Sequence, residues 1–174
     1  MLVKIISIML KNTYTTDALV ERLGLMRKYY GERLFVEGST RSLEEVVQGE
    51  CDQYTVTALK EWVRDFDATD VQPIMVYEAL DTVQEELTTV PSVTLYVPVR
   101  FKPEQVEGFG KWLRANVQPN ILMSLHIDPR ATGGCGIIWK HVYHDLSLHY
   151  FIEKDREAIF GAFNTHLHGT TTAQ

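Results

Sequence analysis

Residues whose types could do chemistry gather in one stretch of this 174-residue chain, the loop 128–136. Gly133, Gly134 and Gly136 give it three glycines in four positions, where a backbone could approach a phosphate and Arg130 could pair with it. The loop lacks the Gly-Lys-Ser/Thr ending of a phosphate-binding loop, and it joins two strands rather than a strand and a helix N-terminus. Cys135 has His126 and His141 nearby in sequence, a pairing a thiol nucleophile would need, but nothing resembling an oxyanion hole accompanies them. His141 and His144 are three apart, and His166 and His168 two apart; no carboxylate stands at the spacing of a metal motif such as H-E-x-x-H. The simpler assignments are a glycine-bent hairpin, a cysteine that packs, and ordinary histidines. They predict no catalytic residue, no cofactor site and no metal site.

Composition supports that reading. A chain that is 45% apolar and 23% charged is an ordinary globular sequence, long enough to bury a core without a disulfide or metal staple. Cys51 and Cys135 are too few for a disulfide framework or a four-cysteine zinc site, so reducing surroundings are expected. The net charge of -6 argues against nucleic acid as a partner. Residues 1–90 carry 9 Lys+Arg and 16 Asp+Glu, residues 91–174 carry 8 and 7, and all six histidines fall in the second part, as in two lobes with different partners. The apolar run from Met1 to Leu10 is far short of the roughly 20 residues that span a bilayer, and no cleavage site follows it; it reads as a buried helix.

The elements that would position these residues change character near 88–92. Thr15, Thr16 and Asp17 supply cap chemistry for a helix striped by Leu19, Leu23, Met26 and Tyr30, with Gly31 and Gly38 as punctuation. Ser42 and Glu45 form a capping box, and Gly49 ends the short helix behind it. Val56, Leu59, Val63 and Phe66 repeat the helical stripe, with Trp62 beside it; Asp70 and Pro73 open the next helix, whose apolar face is read as Ile74, Tyr77, Leu80 and Leu87. Beyond Pro91, Val93, Leu95, Val97 and Val99 alternate as a strand that Pro98 places at an edge or an end. A helix from Pro103 carries Val106, Phe109 and Leu113. Strands are expected over 121–128 and 137–143, paired as a hairpin, and Asp145 or Ser147 caps one closing helix carrying Leu148, Ile152, Ile159, Phe163 and Leu167. Trp62, Trp112 and Trp139 are expected in the core, and the tail 168–174 is expected to fray. The fold class is therefore α+β: a bundle of five or six helices (1–90), then a small α/β lobe of strand, helix, hairpin and helix (91–174).

The second lobe resembles a known family. Val93-Thr94-Leu95, a helix opened by Pro103-Glu104-Gln105, then Ile127-Asp128-Pro129, Gly133-Gly134, the strand 137–142 and Asp145-Leu146-Ser147 are similar to the carboxy-terminal half of the delta subunit of F-type ATP synthases, called the oligomycin-sensitivity-conferring protein in mitochondria. The resemblance covers about 80 residues by motif and the first 90 by architecture alone. Met1 to Asn12 lacks the family's opening Arg-x-Tyr-Ala-x-Ala-Leu pattern, Cys135-Gly136 stands where bulkier apolar residues follow the glycine pair, and His149, Tyr150 and Phe151 replace basic residues.

What the resemblance implies is a mechanical part rather than a catalyst. In the family the helical lobe grips amino-terminal segments of the alpha subunits of the catalytic head, and the second lobe binds the b subunits of the peripheral stalk, which keeps the head from turning with the rotor. Such a protein lies at the cytoplasmic face of an energy-coupling membrane, or at the matrix or stroma side in an organelle, and reaches the membrane only through its partners. The motif hairpin would be marked by Asp128, Pro129, Gly133, Gly134, Asp145 and Ser147. An alpha-subunit helix would lie against ridges from Ile5, Ile8, Met9, Ile74, Tyr77 and Val83, rimmed by Glu78, Glu85 and Glu86. Two other classes stay open from the residues: a small cytosolic enzyme or ligand-binding domain built on the glycine hairpin with its His and Cys neighbours, and an adaptor bundle of an unrelated complex.

Overall fold

The computed structural model describes residues 2–36, 41–69, 71–86, 90–131 and 133–168. Its elements run α1 (Leu2–Lys11), α2 (Thr16–Phe35), α3 (Leu43–Val47), α4 (Gln53–Ala68), α5 (Pro73–Glu86), β1 (Ser92–Val97), α6 (Pro103–Asn116), β2 (Leu122–Ile127), β3 (Gly134–Trp139), β4 (Val142–Ser147), α7 (Leu148–Lys154) and α8 (Arg156–His168). Five helices followed by a mixed α/β region is the expected α+β class. The chain divides into two compact units, residues 1–93 with 101–124, and residues 94–100 with 125–174. The sequence places its break at 90/91; here α6 counts with the first unit.

The first unit is a helical core. Thr15 caps α2 by accepting the Ala18 N–H, and Leu19, Leu23, Met26 and Tyr30 are all buried. Gly31 does not end this helix, which continues to Phe35, because helix propensity on either side outweighs the roughly 1 kcal/mol that one glycine costs. Ser42 and Glu45 make the reciprocal capping box of α3. On α4, Leu59, Trp62 and Phe66 are buried, while Val56 and Val63 lie beside them half-buried. The inward face of α5 is Val76, Ala79, Leu80 and Val83, with Ile74 exposed, so the stripe read from the sequence is rotated from the one the fold buries. Asp70 and Leu87, assigned a cap and a place on that stripe, lie outside the described residues, as do Gly38 and the tail 169–174.

Polar groups inside this unit are tied together by two arginines. Arg22, 2% exposed, donates through Nη1 to the Asn12 carbonyl (2.8 Å) and to Thr13 Oγ1 (2.7 Å). Arg114 of α6 donates to the carbonyls of Leu10, Thr13 and Ile121 and lies 4.6 Å over the Tyr14 ring. The Asn12 side chain accepts from the Trp62 indole (2.7 Å) and donates to Glu61 (2.8 Å). The backbone groups of the α1–α2 turn, which a helix end leaves without internal partners, are thereby satisfied from other elements. Gly110 lets α6 come close here, since a Cβ there would fall 2.5 Å from the Tyr14 ring.

The sheet order is β2-β1-β3-β4. Leu122 donates its N–H to Pro91 and Asp128 donates to Val97, the same sequence offset at both places, so β2 runs parallel to β1 through the α6 crossover. β3 pairs antiparallel with β1 (Leu95 opposite Ile137) and with β4 (Ile137 opposite His144). This corrects the expected hairpin. The strands 121–128 and 137–143 are not partners, and residues 137–143 are two strands with a turn between them. Lys140 and His141, both at positive φ (49° and 65°), make that turn, the geometry of a two-residue hairpin loop without the Asn-Gly or Asp-Gly that usually announces it. The closing helix is likewise two, α7 and α8, separated at Asp155.

Candidate functional site

The motif residues meet around one sheet face in the second unit. Asp128 Oδ1 accepts the Arg130 backbone N–H and its Nε, both at 3.1 Å, and Asp145 Oδ1 accepts the Ser147 N–H at 2.8 Å. These bonds hold both carboxyls below their usual range, Asp128 through Arg130 and Asp145 through Ser147. Ser147 caps α7 by accepting the Tyr150 N–H (3.1 Å). Pro129 is exposed in the turn after β2. Gly133 accepts the Leu148 N–H (2.9 Å), and Gly134 sits at φ 77°, where a Cβ would strike the Leu146 carbonyl oxygen. That position admits glycine alone.

Gly136 is different: a Cβ there would fall 2.7 Å from Tyr143 Oη. The Tyr143 ring therefore occupies the space of the missing side chain, an aromatic covering of a strand glycine. A cleft of about 500 Å³ opens beside it, lined among others by Tyr96, Asp128, Arg130, Tyr143, Asp145 and His149. Arg130 is spent on Asp128, and Asp145 on Ser147. The two carboxylates and the arginine that line the cleft are thus engaged with neighbours of their own chain.

The candidate catalytic groups are dispersed. Burial pushes the Cys135 thiol up, the reverse of what an attacking thiolate needs. His126 stacks on Tyr96 (5.3 Å between centroids), His141 stands in the turn, His144 is on β4, and His149 is on α7. No group of three or more His, Cys, Asp or Glu able to hold a metal exists among the described residues.

No protein-family model and no curated protein matches the chain.

The surfaces are more informative than the cavities. Of the six ridge residues, Ile5 (1%), Met9 (0%) and Val83 (5%) belong to the core of the first unit, Ile8 and Tyr77 are half-buried against it, and Ile74 is exposed. Tyr77 meets Phe35 edge-on at 5.4 Å, and Phe35 is itself exposed, so α2 and α5 present an apolar pair with Ile74 one turn away. Glu78 and Glu85 are exposed beside it; the Glu86 side chain lies outside the described residues. In the second unit every described side chain from Leu148 to His166 is exposed, including Leu148, Tyr150, Phe151, Ile152, Ile159, Phe160 and Phe163. The closing stripe expected to complete a core does not do so, because α7 and α8 have no facing layer of apolar side chains among the described residues. Trp112 is also exposed and Trp139 half-buried, leaving Trp62 as the tryptophan in the core.

Sequence reasoning passed over Arg114, Asn12 and the Tyr143–Gly136 contact. Arg114 acts through backbone carbonyls, which carry no residue signature, and Asn12 through Trp62 and Glu61 some fifty residues away, a pairing that no local spacing announces. The third was visible as a glycine and an aromatic seven apart, but only once the 140–141 turn is known.

Proposed function

We propose that the protein is a non-catalytic peripheral-stalk subunit of an F-type rotary ATP synthase, joining the alpha subunits of the catalytic head to the b-type stalk and resisting rotor torque. The observation that carries the reading is the surface of α7 and α8, whose aromatic and aliphatic side chains stand in solvent. Exposed apolar surface on this scale marks a component of an assembly. The order of elements, from five helices to the Asp-Pro, Gly-Gly and Asp-x-Ser steps, supports the particular assembly through the resemblance given above. A torque-bearing joint requires large contact area and slow dissociation rather than side-chain chemistry, in keeping with the paired charges of the cleft and the raised Cys135 thiol.

On this reading α7 and α8 receive the stalk, while Ile74, Tyr77 and Phe35 are the available apolar contacts of the first unit for a helix of the head. No described helix is long and apolar enough to cross a membrane; on this reading attachment at the cytoplasmic face runs through these partners. The test is a pull-down of the tagged chain from gently solubilised membranes of its own source, with co-purifying chains identified by mass spectrometry. Recovery of alpha, beta and b subunits in stoichiometric amounts is the expected result; a chain that stays in the soluble fraction without any of them overturns the reading.

A further inference from the structure

One row of side chains crosses the sheet of the second unit on a single face. Tyr96 of β1 stands opposite Gly136 of β3, and Gly136 stands opposite Asp145 of β4. Residues directly opposite in an antiparallel ladder share a face, so the row reads tyrosine, no side chain, carboxylate. His126 of β2 stacks on Tyr96 and covers one face of its ring, with 5.3 Å between centroids and 24° between planes. The other face of that ring borders the gap above Gly136. Tyr143, two residues before Asp145 and therefore on the same face, brings its hydroxyl over the glycine. The cleft of about 500 Å³ is the space this row leaves, a volume in the range of small-ligand sites.

The charges around it do not cancel. Asp128 and Asp145 line the cleft against one guanidinium, Arg130, which Asp128 holds at 3.1 Å. Asp145 is bonded to Ser147, a neutral partner, and among the described residues the ionisable group that acts on it is His149. A carboxylate has two oxygens and accepts about four donors, so the Ser147 bonds leave Asp145 with capacity to spare. We infer that this cleft binds a guanidinium group, stacked on the open face of Tyr96 and hydrogen-bonded to Asp145 across Gly136. A guanidinium is planar, carries its donors as a fork that matches a carboxylate, and stacks on aromatic faces; an ammonium brings the charge without the plane. The Tyr143 hydroxyl is a second acceptor beside it. An anion such as phosphate would meet the unmatched charge of Asp145, with Arg130 already bonded to Asp128. The arginine side chain of a partner protein and a free guanidino compound present the same head, and the cleft has room for an aliphatic stem behind it.

The inference goes beyond the stalk reading and does not depend on it, since it concerns the purified chain and an added probe. The full chain, labelled with nitrogen-15, is titrated with N-acetylarginine N-methylamide and followed by the backbone amide resonances of Gly136, Tyr143 and Asp145. These are expected to move together and to saturate at about millimolar probe. The citrulline analogue, of the same shape without the charge, should bind at least ~10-fold more weakly, and the lysine analogue should fall between them. Asp145→Asn keeps an oxygen for the Ser147 N–H and should lose at least ~10-fold in affinity with the rest of the spectrum unchanged; Tyr96→Leu should lose about 2- to 5-fold. A blocked Gly-Gly-Arg-Gly-Gly peptide distinguishes the sources: binding at least ~10-fold tighter than the single residue supports an arginine on a partner chain, and equal binding supports a free guanidino compound. Cleft resonances that stay in place overturn the proposal. So does a citrulline analogue that binds as well as the arginine one, a comparison that needs no variant to fold. An unmoved spectrum would leave the pull-down result standing, and a failed pull-down would leave the guanidinium site standing.

Discussion

The two units spend their apolar residues in opposite ways. The first buries most of them: Ile5, Met9, Leu23, Met26, Leu59, Trp62 and Leu80 are each 1% exposed or less, and the polar groups among them are bonded by Asn12, Arg22 and Arg114. In the second, Leu95 and Val97 are the buried apolar side chains among the described residues, while α7 and α8 hold their phenylalanines and isoleucines in water. A unit of the first kind is finished by its own sequence. A unit of the second kind leaves its apolar side chains uncovered among the described residues, and the difference teaches where to look for function: not in the best-formed core, but where hydrophobic periodicity has no described partner.

The contrast can be broken most forcefully in the first unit. Trp62→Ala removes a buried ring and the indole N–H that Asn12 accepts, and should cost about 3–5 kcal/mol, read as a lowered urea midpoint with unchanged slope. Arg114→Met leaves the carbonyls of Leu10, Thr13 and Ile121 without that donor and should cost about 2 kcal/mol by the same measurement. In the second unit, Gly136→Ala should cost about 1 kcal/mol by displacing the Tyr143 ring, and a cycle with Tyr143→Ala should recover most of it as coupling. Phe160→Ser with Phe163→Ser should move thermal stability by less than about 0.5 kcal/mol each while abolishing recovery of stalk subunits in the pull-down, the sharpest separation of folding from binding.

The smallest effect is a pH dependence. Asp145 has its folded pKa depressed by the Ser147 hydrogen bonds, so its contribution is present above the ordinary carboxylate range and is lost as pH falls through the folded value. The melting temperatures of the natural chain and of Asp145→Ala should therefore differ slightly at neutral pH and converge in acid.

The sequence carried much of the fold in readable form because its signals were local. The Thr15 cap, the Ser42–Glu45 box, Pro73 and Pro103 at helix starts, and the alternation of Val93, Leu95 and Val97 each declare themselves within a few residues. The 137–143 strand failed for a physical reason: Lys140 and His141 adopt left-handed angles that tertiary pairing, not residue type, imposes. The face of α5 was misjudged because Ile74 and Tyr77 fit a helical stripe as well as Val76, Ala79 and Val83 do, and only the neighbouring α1 and α2 decide between them. Among the site residues, Ser147 and Gly134 announced their roles by type. Ile5 and Met9 could not, since an apolar residue on a helix looks the same whether it faces a core or a partner.

Arg114 has a further consequence, for the order of events as the chain is made. It bonds carbonyls at Leu10 and Thr13 that were synthesised about a hundred residues before it, and the Ile121 carbonyl that follows it. The five leading helices emerge first, before the guanidinium that bonds the α1–α2 turn has been made. Their unit closes only when α6 has left the ribosome, so a nascent chain halted near residue 90 has its helices but not the clasp that locks the first of them in place.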